Sequence, residues 1–176
     1  MSRDYKDYKN NLQKRLNLKN VNAIPTIESV IINMGIGSIV TRKWHKDFEE
    51  FEKNLAKITW QKPRIVKAKK SISNFKLREW MPVMLQSTLR GNRALDFIER
   101  LYKLILPRIR DFSWLNKRSF DSQANLTIGI KNYSIFPELW LDDVTIPMWI
   151  WITIVTSTND KEKSIALLEE LGFVFK

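Results

Sequence analysis

The chain of 176 residues contains no cysteine. Disulfides, cysteine-ligated zinc and thiolate catalysis are therefore excluded. Histidine occurs once, as His45 beside Lys46 and Asp47, with no serine or cysteine nucleophile in register. A surface histidine, rather than a catalytic one, is expected there. Glycine is scarce: five are present, where average usage of roughly 7% gives about twelve. Long apolar runs are missing too. The longest, near residues 146–155, is too short and too β-branched for a membrane span. The first ten residues, MSRDYKDYKN, carry no apolar core of a secretory leader, so a cytoplasmic protein is expected. Acidic residues are the last shortage. Nineteen face 30 Lys and Arg, for a net charge of +11 and a pI near 9.9. Such a balance points to a polyanionic partner, either nucleic acid or an anionic membrane surface.

The charge is concentrated. Residues 61–91 read QKPRIVKAKKSISNFKLREWMPVMLQSTLRG. Eight basic side chains (Lys62, Arg64, Lys67, Lys69, Lys70, Lys76, Arg78 and Arg90) oppose one acid, Glu79, leaving seven net positive charges on one stretch. Two short β-like runs, residues 64–67 and 83–90, flank a polar middle without buried periodicity. That middle places Phe75 and Trp80 among the cations, the combination that a phosphate backbone and an unstacked base require. A solvated hairpin is the plain alternative, but seven net charges exceed what solubility needs, and RNA is favoured. The ends of the chain differ in sign: residues 1–20 hold six bases and two acids, residues 137–176 three bases and seven acids. One face is expected to hold RNA while another meets a basic protein.

Spacing predicts the elements. Tyr5, Tyr8, Leu12 and Leu16 mark an amphipathic N-terminal helix over residues 1–20, ending near Asn20. A strand follows over residues 27–34 and a loop at Asn33-Met34-Gly35-Ile36-Gly37. Phe48, Phe51, Leu55 and Ile58 mark a second helix. After the basic hairpin, Asn92 is expected to cap a third helix through Ile105, stopped at Pro107. Strands are expected at residues 126–130 and 150–156. Asn159 is expected to cap the last helix, with Glu162 completing a capping box, Ile165, Leu168 and Leu171 buried, and Gly172 ending it. The mixed order favours an α+β fold: a single domain over residues 1–176, with a mostly antiparallel sheet of about five strands, helices packed on one face and a long basic hairpin loop.

Other patterns are weak. Gly35-Ile36-Gly37 follows a strand, as a dinucleotide loop does, but lacks the third glycine and a nearby phosphate-binding lysine, so a strand-ending turn is expected. Glu49-Glu50 and Asp142-Asp143 are adjacent acids that point in different directions, and solvated charge is the better reading. No metal, cofactor or catalytic residue is expected. The rival classes are a nucleotide-using enzyme built on the GxG loop, a peripheral membrane protein using the basic N-terminal helix, and a general basic RNA-binding protein.

From Gln61 onward, QKPRIVKAKKSISNFKLRE, then MP, then TLRG, resembles the bacterial ribosomal protein L five family, whose members bind 5S rRNA. The likeness begins at Ile31-Ile32-Asn33-Met34-Gly35-Ile36-Gly37. It continues through Leu106-Pro107-Arg108-Ile109-Arg110-Asp111-Phe112, Lys117-Arg118-Ser119-Phe120-Asp121, Ile135-Phe136-Pro137-Glu138 and Ile152-Thr153-Ile154-Val155-Thr156, and ends at Gly172. It spans nearly the whole chain in order. The resemblance implies a non-enzymatic constituent of the large subunit that binds 5S rRNA, helps to attach it in the central protuberance, contacts the P-site tRNA and forms an intersubunit bridge. The implied partners are 5S rRNA, 23S rRNA, P-site tRNA, the small-subunit head protein S thirteen and neighbouring large-subunit proteins, with no membrane.

Carried over position by position, the resemblance implies 5S rRNA contacts at Asn33, Gln61 and Thr88, neutral side chains that can bond to phosphates, sugars or base edges. Lys62, Arg64, Lys67, Lys69, Lys70 and Arg90 accompany them. A lysine of the family four residues before Asn33 is Ser29 here, which removes one cation. The tRNA-facing loop maps to residues 71–81, with Ser71, Ser73, Asn74, Phe75, Lys76, Arg78, Trp80 and Met81 as its contacts. The bridge maps to Arg108, Arg110, Asp111, Phe112 and Trp114, and to the acidic residues Glu138, Asp142 and Asp143.

Seven tryptophans against five glycines form a last anomaly. Trp60, Trp80, Trp114 and Trp149 stand where the resemblance implies glycine, whereas Trp44, Trp140 and Trp151 do not. The expectation is that these four are UGA codons read as glycine in the source organism, and that their indoles lie exposed on loops or in strained turns.

Overall fold

The computed structural model describes residues 4–43, 48–110, 114–140 and 146–176, leaving aside the side chains of residues 4–7 and 42–43. Five strands, β1 (Ile27–Gly35), β2 (Arg64–Lys67), β3 (Pro82–Arg90), β4 (Leu126–Ile130) and β5 (Ile150–Thr156), form one open sheet in the order β2-β3-β1-β5-β4. Five helices accompany it: α1 (Asp4–Arg15), α2 (Gly37–Lys43), α3 (Phe48–Thr59), α4 (Asn92–Arg100) and α5 (Lys161–Glu170). The fold is α+β, with an antiparallel sheet. Each long strand is half-buried with period two, because alternate side chains point to opposite faces. Val30, Ile32 and Met34 on β1, and Ile150, Ile152 and Ile154 on β5, are wholly buried, while the residues between them are not.

The chain forms two compact units, residues 1–30, 90–128 and 153–176 in one, residues 31–89 and 129–152 in the other. In the first, Tyr8, Leu12 and Ile24 pack on Ala166 and Leu167 of α5, with Leu16, Leu18, Ile27 and Leu171 at the margin. Arg15 pairs with Glu169 and, at 3.6 Å, with Glu170. Beneath the start of α5, buried Ser164 donates to the Ala124 carbonyl at 2.8 Å. The adjoining turn is closed by Asp121, whose Oδ1 accepts from the main-chain N–H of Gln123 at 2.9 Å and of Asn125 at 2.8 Å. Its Oδ2 accepts from the Asn125 side chain at 3.0 Å. Burial acts to raise the Asp121 pKa; the bonds from Asn125 and Gln123, with the charge of Lys161, outweigh it and hold the carboxyl below its ordinary value. In the second unit, Phe51, Leu55 and Ile58 of α3 are buried, and the Phe51 ring meets Tyr133 at 6.2 Å.

Several local expectations need correction. The N-terminal helix stops at Arg15, not near Asn20, because Asn17 turns left-handed at φ 49°. A short helix, α2, runs on from the last residue of the expected Asn33–Gly37 loop, through a stretch to which the spacing assigns no element. Asn92 is the first residue of α4 rather than its cap; Gly91 holds that place without a side-chain bond. Beyond Arg100 the helix continues as a wider turn, Leu101–Ile105, then tightens at Leu106–Arg108. Pro107 lacks an N–H, and its ring crowds the carbonyl four residues back. Asp160, not Asn159, caps α5, its carboxylate accepting from Glu162 N at 3.0 Å. The buried stripe of α5 is Ser164, Ala166, Leu167 and Leu168; Ile165 and Leu171 are only half-buried. His45 lies outside the described residues.

Candidate nucleic-acid interface

The basic stretch begins as a regular ladder. β2 and β3 pair antiparallel, Arg64 opposite Gln86, Ile65 opposite Leu85 and Val66 opposite Met84, with a bulge before Lys67 meets Pro82. The main chain carries the pairing one step further: Ala68 N–H donates to Met81 O at 2.8 Å, and Trp80 N–H to Ala68 O at 2.9 Å. Farther out, Ile72 and Leu77 exchange both N–H bonds, at 3.0 and 3.1 Å, around a single turn of Ser73–Phe75. The Ser71 hydroxyl accepts from Glu79 N at 3.0 Å. Ser71, Ser73, Asn74, Phe75, Lys76, Arg78 and Trp80 are all exposed, and Met81 is half-buried. The tip therefore has no core; main-chain bonds give it shape, and its side chains face solvent.

Lys67, Lys69 and Lys70 are likewise exposed. Lys62, itself almost wholly exposed, reaches the partly buried Glu52 on α3 at 3.7 Å, a loose pair whose solvated lysine end leaves it little stabilising worth. Arg64 and Arg90 are both exposed at the root end of the ladder, Arg64 opposite Gln86 and Arg90 at the end of β3 just beyond it.

Asn33, Gln61 and Thr88 come together differently. Ile32 and Met34 point into the core, as do Leu85 and Leu89. By alternation Asn33 and Thr88 point to the other face of the sheet, on neighbouring strands β1 and β3. Gln61, just past α3, donates its amide to the Thr88 carbonyl at 3.2 Å. Asn33 Oδ1 is occluded and has no hydrogen-bond partner. An acceptor in that state costs about 1–3 kcal/mol. Gln86, opposite Arg64, and Trp151, half exposed, lie on the same face by alternation. The reading of the sequence overlooked both, although strand alternation alone assigns them to it.

The bridge positions are less complete. Arg108, Arg110 and Trp114 belong to the first unit and Glu138 to the second. Asp111, Phe112, Asp142 and Asp143 lie outside the described residues. Among the described residues, no group of three or more His, Asp or Glu side chains is placed to hold a metal ion.

The local geometry does not favour two rival chemistries. In the GxG segment, the Ile36 N–H donates to Val83 O at 2.9 Å, so that amide is committed to the sheet rather than open to a phosphate. In α1, Tyr8 and Leu12, the centre of its apolar stripe, are spent in the core, and no described helix is long and apolar enough to cross a membrane.

Comparison with known proteins gives the same direction along the whole chain. Residues 20–78 match the family profile described as Ribosomal protein L5, and residues 82–175 match the profile of the C-terminus of the same ribosomal family. The chain is 44% identical over 172 residues to a large ribosomal subunit protein uL5 of Thermus aquaticus, covering 98% of this chain and 93% of that one. It is 43% identical to the protein of the same name from Syntrophotalea carbinolica, covering 93% and 88%, and 43% identical to that of Brachyspira hyodysenteriae, covering 97% and 90%. With both profiles matched and this identity sustained over nearly its full length, the chain belongs to the ribosomal protein L5 family.

Proposed function

We propose that this protein is a structural constituent of the large ribosomal subunit in the cytoplasm, that it binds 5S rRNA and 23S rRNA, and that it helps to seat the 5S rRNA in the central protuberance. The family is structural and non-enzymatic. The observation that carries the RNA reading is the pairing of two surfaces in one unit: an exposed basic hairpin, and the partly exposed sheet face at its root where Asn33, Gln61 and Thr88 lie. The cations neutralise phosphate without reading sequence; the neutral groups, held by the sheet, set the register. In the same reading the hairpin tip, through Lys76 and Arg78, approaches the P-site tRNA. The segments around Arg108–Leu115 and Glu138–Asp143 meet the small-subunit head through its protein S thirteen. Neighbouring large-subunit proteins complete the surroundings.

The test is a titration of fluorescently labelled 5S rRNA with the purified protein across a salt series, with an unrelated structured RNA of equal length as competitor. Preference for 5S rRNA, with affinity falling steeply as salt rises, is the expected outcome. Equal competition by the unrelated RNA favours the alternative of a non-ribosomal, sequence-indifferent RNA binder.

A further inference from the structure

Among the described residues, three helices are followed by a residue in the left-handed conformation. After α1 it is Asn17, φ 49°, where Asn17 N–H donates to Lys14 O at 3.3 Å and Leu18 N–H to Gln13 O at 3.2 Å. After α5 it is Gly172, φ 102°, with Gly172 N–H to Glu169 O and Phe173 N–H to Leu168 O, both 3.0 Å. Glycine and asparagine are the residues that take this position readily: glycine has no Cβ to meet the neighbouring carbonyl, and asparagine has a short polar group that bonds locally. After α3 the left-handed residue is Trp60, φ 53°, directly past the last helical residue, Thr59. Tryptophan offers neither advantage, and its side chain is 62% exposed, so burial does little to offset the strain.

A second tryptophan repeats the anomaly in another kind of turn. Met81 N–H donates to Arg78 O at 3.2 Å, closing a four-residue turn in which Trp80 is third. Trp80 has φ 67°, while Glu79 is not among the positive-φ residues. A negative second residue followed by a positive third defines a type II turn, whose third place is glycine's or asparagine's. The Trp80 indole is 71% exposed. Lys76 and Ala124 also have positive φ, so the conformation is not closed to other residues. Trp60 and Trp80 differ in filling two slots characteristic of glycine with the bulkiest side chain.

Trp151 is the contrast. It lies in extended β5, and its ring rests on Gly129, where a Cβ would come within 2.8 Å of the indole. That strand is shaped around a tryptophan. Exposure alone does not separate the two kinds, since Trp140 is 79% and Trp151 46% exposed; the backbone does. Trp149 has no positive φ and stacks on Trp151 at 5.8 Å, so the backbone asks for no glycine at 149.

We propose that positions 60 and 80 are glycine in the protein as its source cell makes it, each encoded by a UGA codon that the cell reads as glycine and another genetic code reads as tryptophan. UGA is one base from the glycine codon GGA and one base from the tryptophan codon UGG. The inference rests on backbone geometry and composition, and it stands whether or not the RNA reading does. Its consequence is for the hairpin. The two positions bracket β2 and its loop, so both bends present main chain rather than an indole, and no base stacks at either.

Two measurements test it. The gene and the peptide masses of the protein purified from its source cells are expected to show UGA codons and glycine at 60 and 80. UGG at either codon, or a peptide carrying tryptophan there, overturns the inference for that position. The second measurement uses the full 176-residue chain with tryptophan at both positions, and its variants Trp60→Gly, Trp60→Ala, Trp80→Gly and Trp80→Ala. Each glycine variant is expected to shift the urea midpoint upward with its slope unchanged, while each alanine variant, which keeps a Cβ in the left-handed region, recovers little of that shift. Trp151→Gly is expected to shift the midpoint downward. Glycine variants no more stable than their alanine counterparts contradict the proposal.

Discussion

The side-chain amide of Gln61 donates to the main-chain carbonyl of Thr88 at 3.2 Å. That bond ties the segment leaving α3 to β3 and unites two positions 27 residues apart at the root of the basic hairpin. Gln61→Ala is expected to weaken 5S rRNA binding by about 1–3 kcal/mol if it strands a partner group. Thr88→Val removes the hydroxyl and keeps the carbonyl, so affinity should fall while the urea midpoint hardly moves. Anisotropy titrations and urea denaturation measure both, and wild-type affinity in both variants takes the pair out of the interface.

Charge reversal at Lys76 and Arg78 is expected to act elsewhere. The tip is exposed and held by main-chain bonds, so the double Glu variant should unfold like the parent. Its 5S rRNA affinity should stay near that of the parent, while tRNA binding or subunit joining weakens. Collapse of 5S binding assigns the tip to the wrong RNA.

The fold was legible where one signal dominated. β4 and β5 are β-branched runs bounded by turn residues, and their bounds are those expected. α2 was hidden because GSIVTRK is seven residues long and opens on glycine; Thr41 ties its turn back to Gly37 O at 3.0 Å. Asn159 and Asp160 are equally able caps by composition, and the choice depended on which side chain reached Glu162 N. In α5, apolar residues on several sides left its rotation open. For the candidate interface, charge alone located the hairpin. Nothing in the residue types of Asn33, Gln61 or Thr88 singled them out; the family resemblance did. No local pattern shows that Gln61 reaches Thr88, because the contact depends on how α3 leaves the sheet.

Asp121 gives a pH prediction. Its folded pKa is lowered from an ordinary value of 3.8, so its ionised form stabilises the fold. That contribution is complete above the ordinary value and is lost as pH falls through the lowered folded value. Asp121→Asn keeps an acceptor oxygen but removes the charge. The variant should melt lower than the parent at neutral pH, and the gap should narrow as the pH drops below about 4. Thermal melts across an acid series measure it; a gap independent of pH contradicts the role given to the charge.

Leu12 is wholly buried between α1 and α5. Leu12→Ala should cost about 2–5 kcal/mol of stability, read by urea denaturation. Because this stripe is spent in the core, the intact protein should not bind anionic vesicles once excess RNA competes. Vesicle binding that survives RNA would restore the membrane alternative.

The most direct test of the central claim is recovery of RNA from a total rRNA mixture by the immobilised, purified protein at near-physiological salt. The account predicts that 5S rRNA is selectively enriched over other RNAs of similar size, and that Asn33→Ala combined with Thr88→Val abolishes the enrichment while the basic hairpin still retains RNA indiscriminately. Recovery in proportion to input by the unmodified protein, with no preference for 5S rRNA, would contradict it.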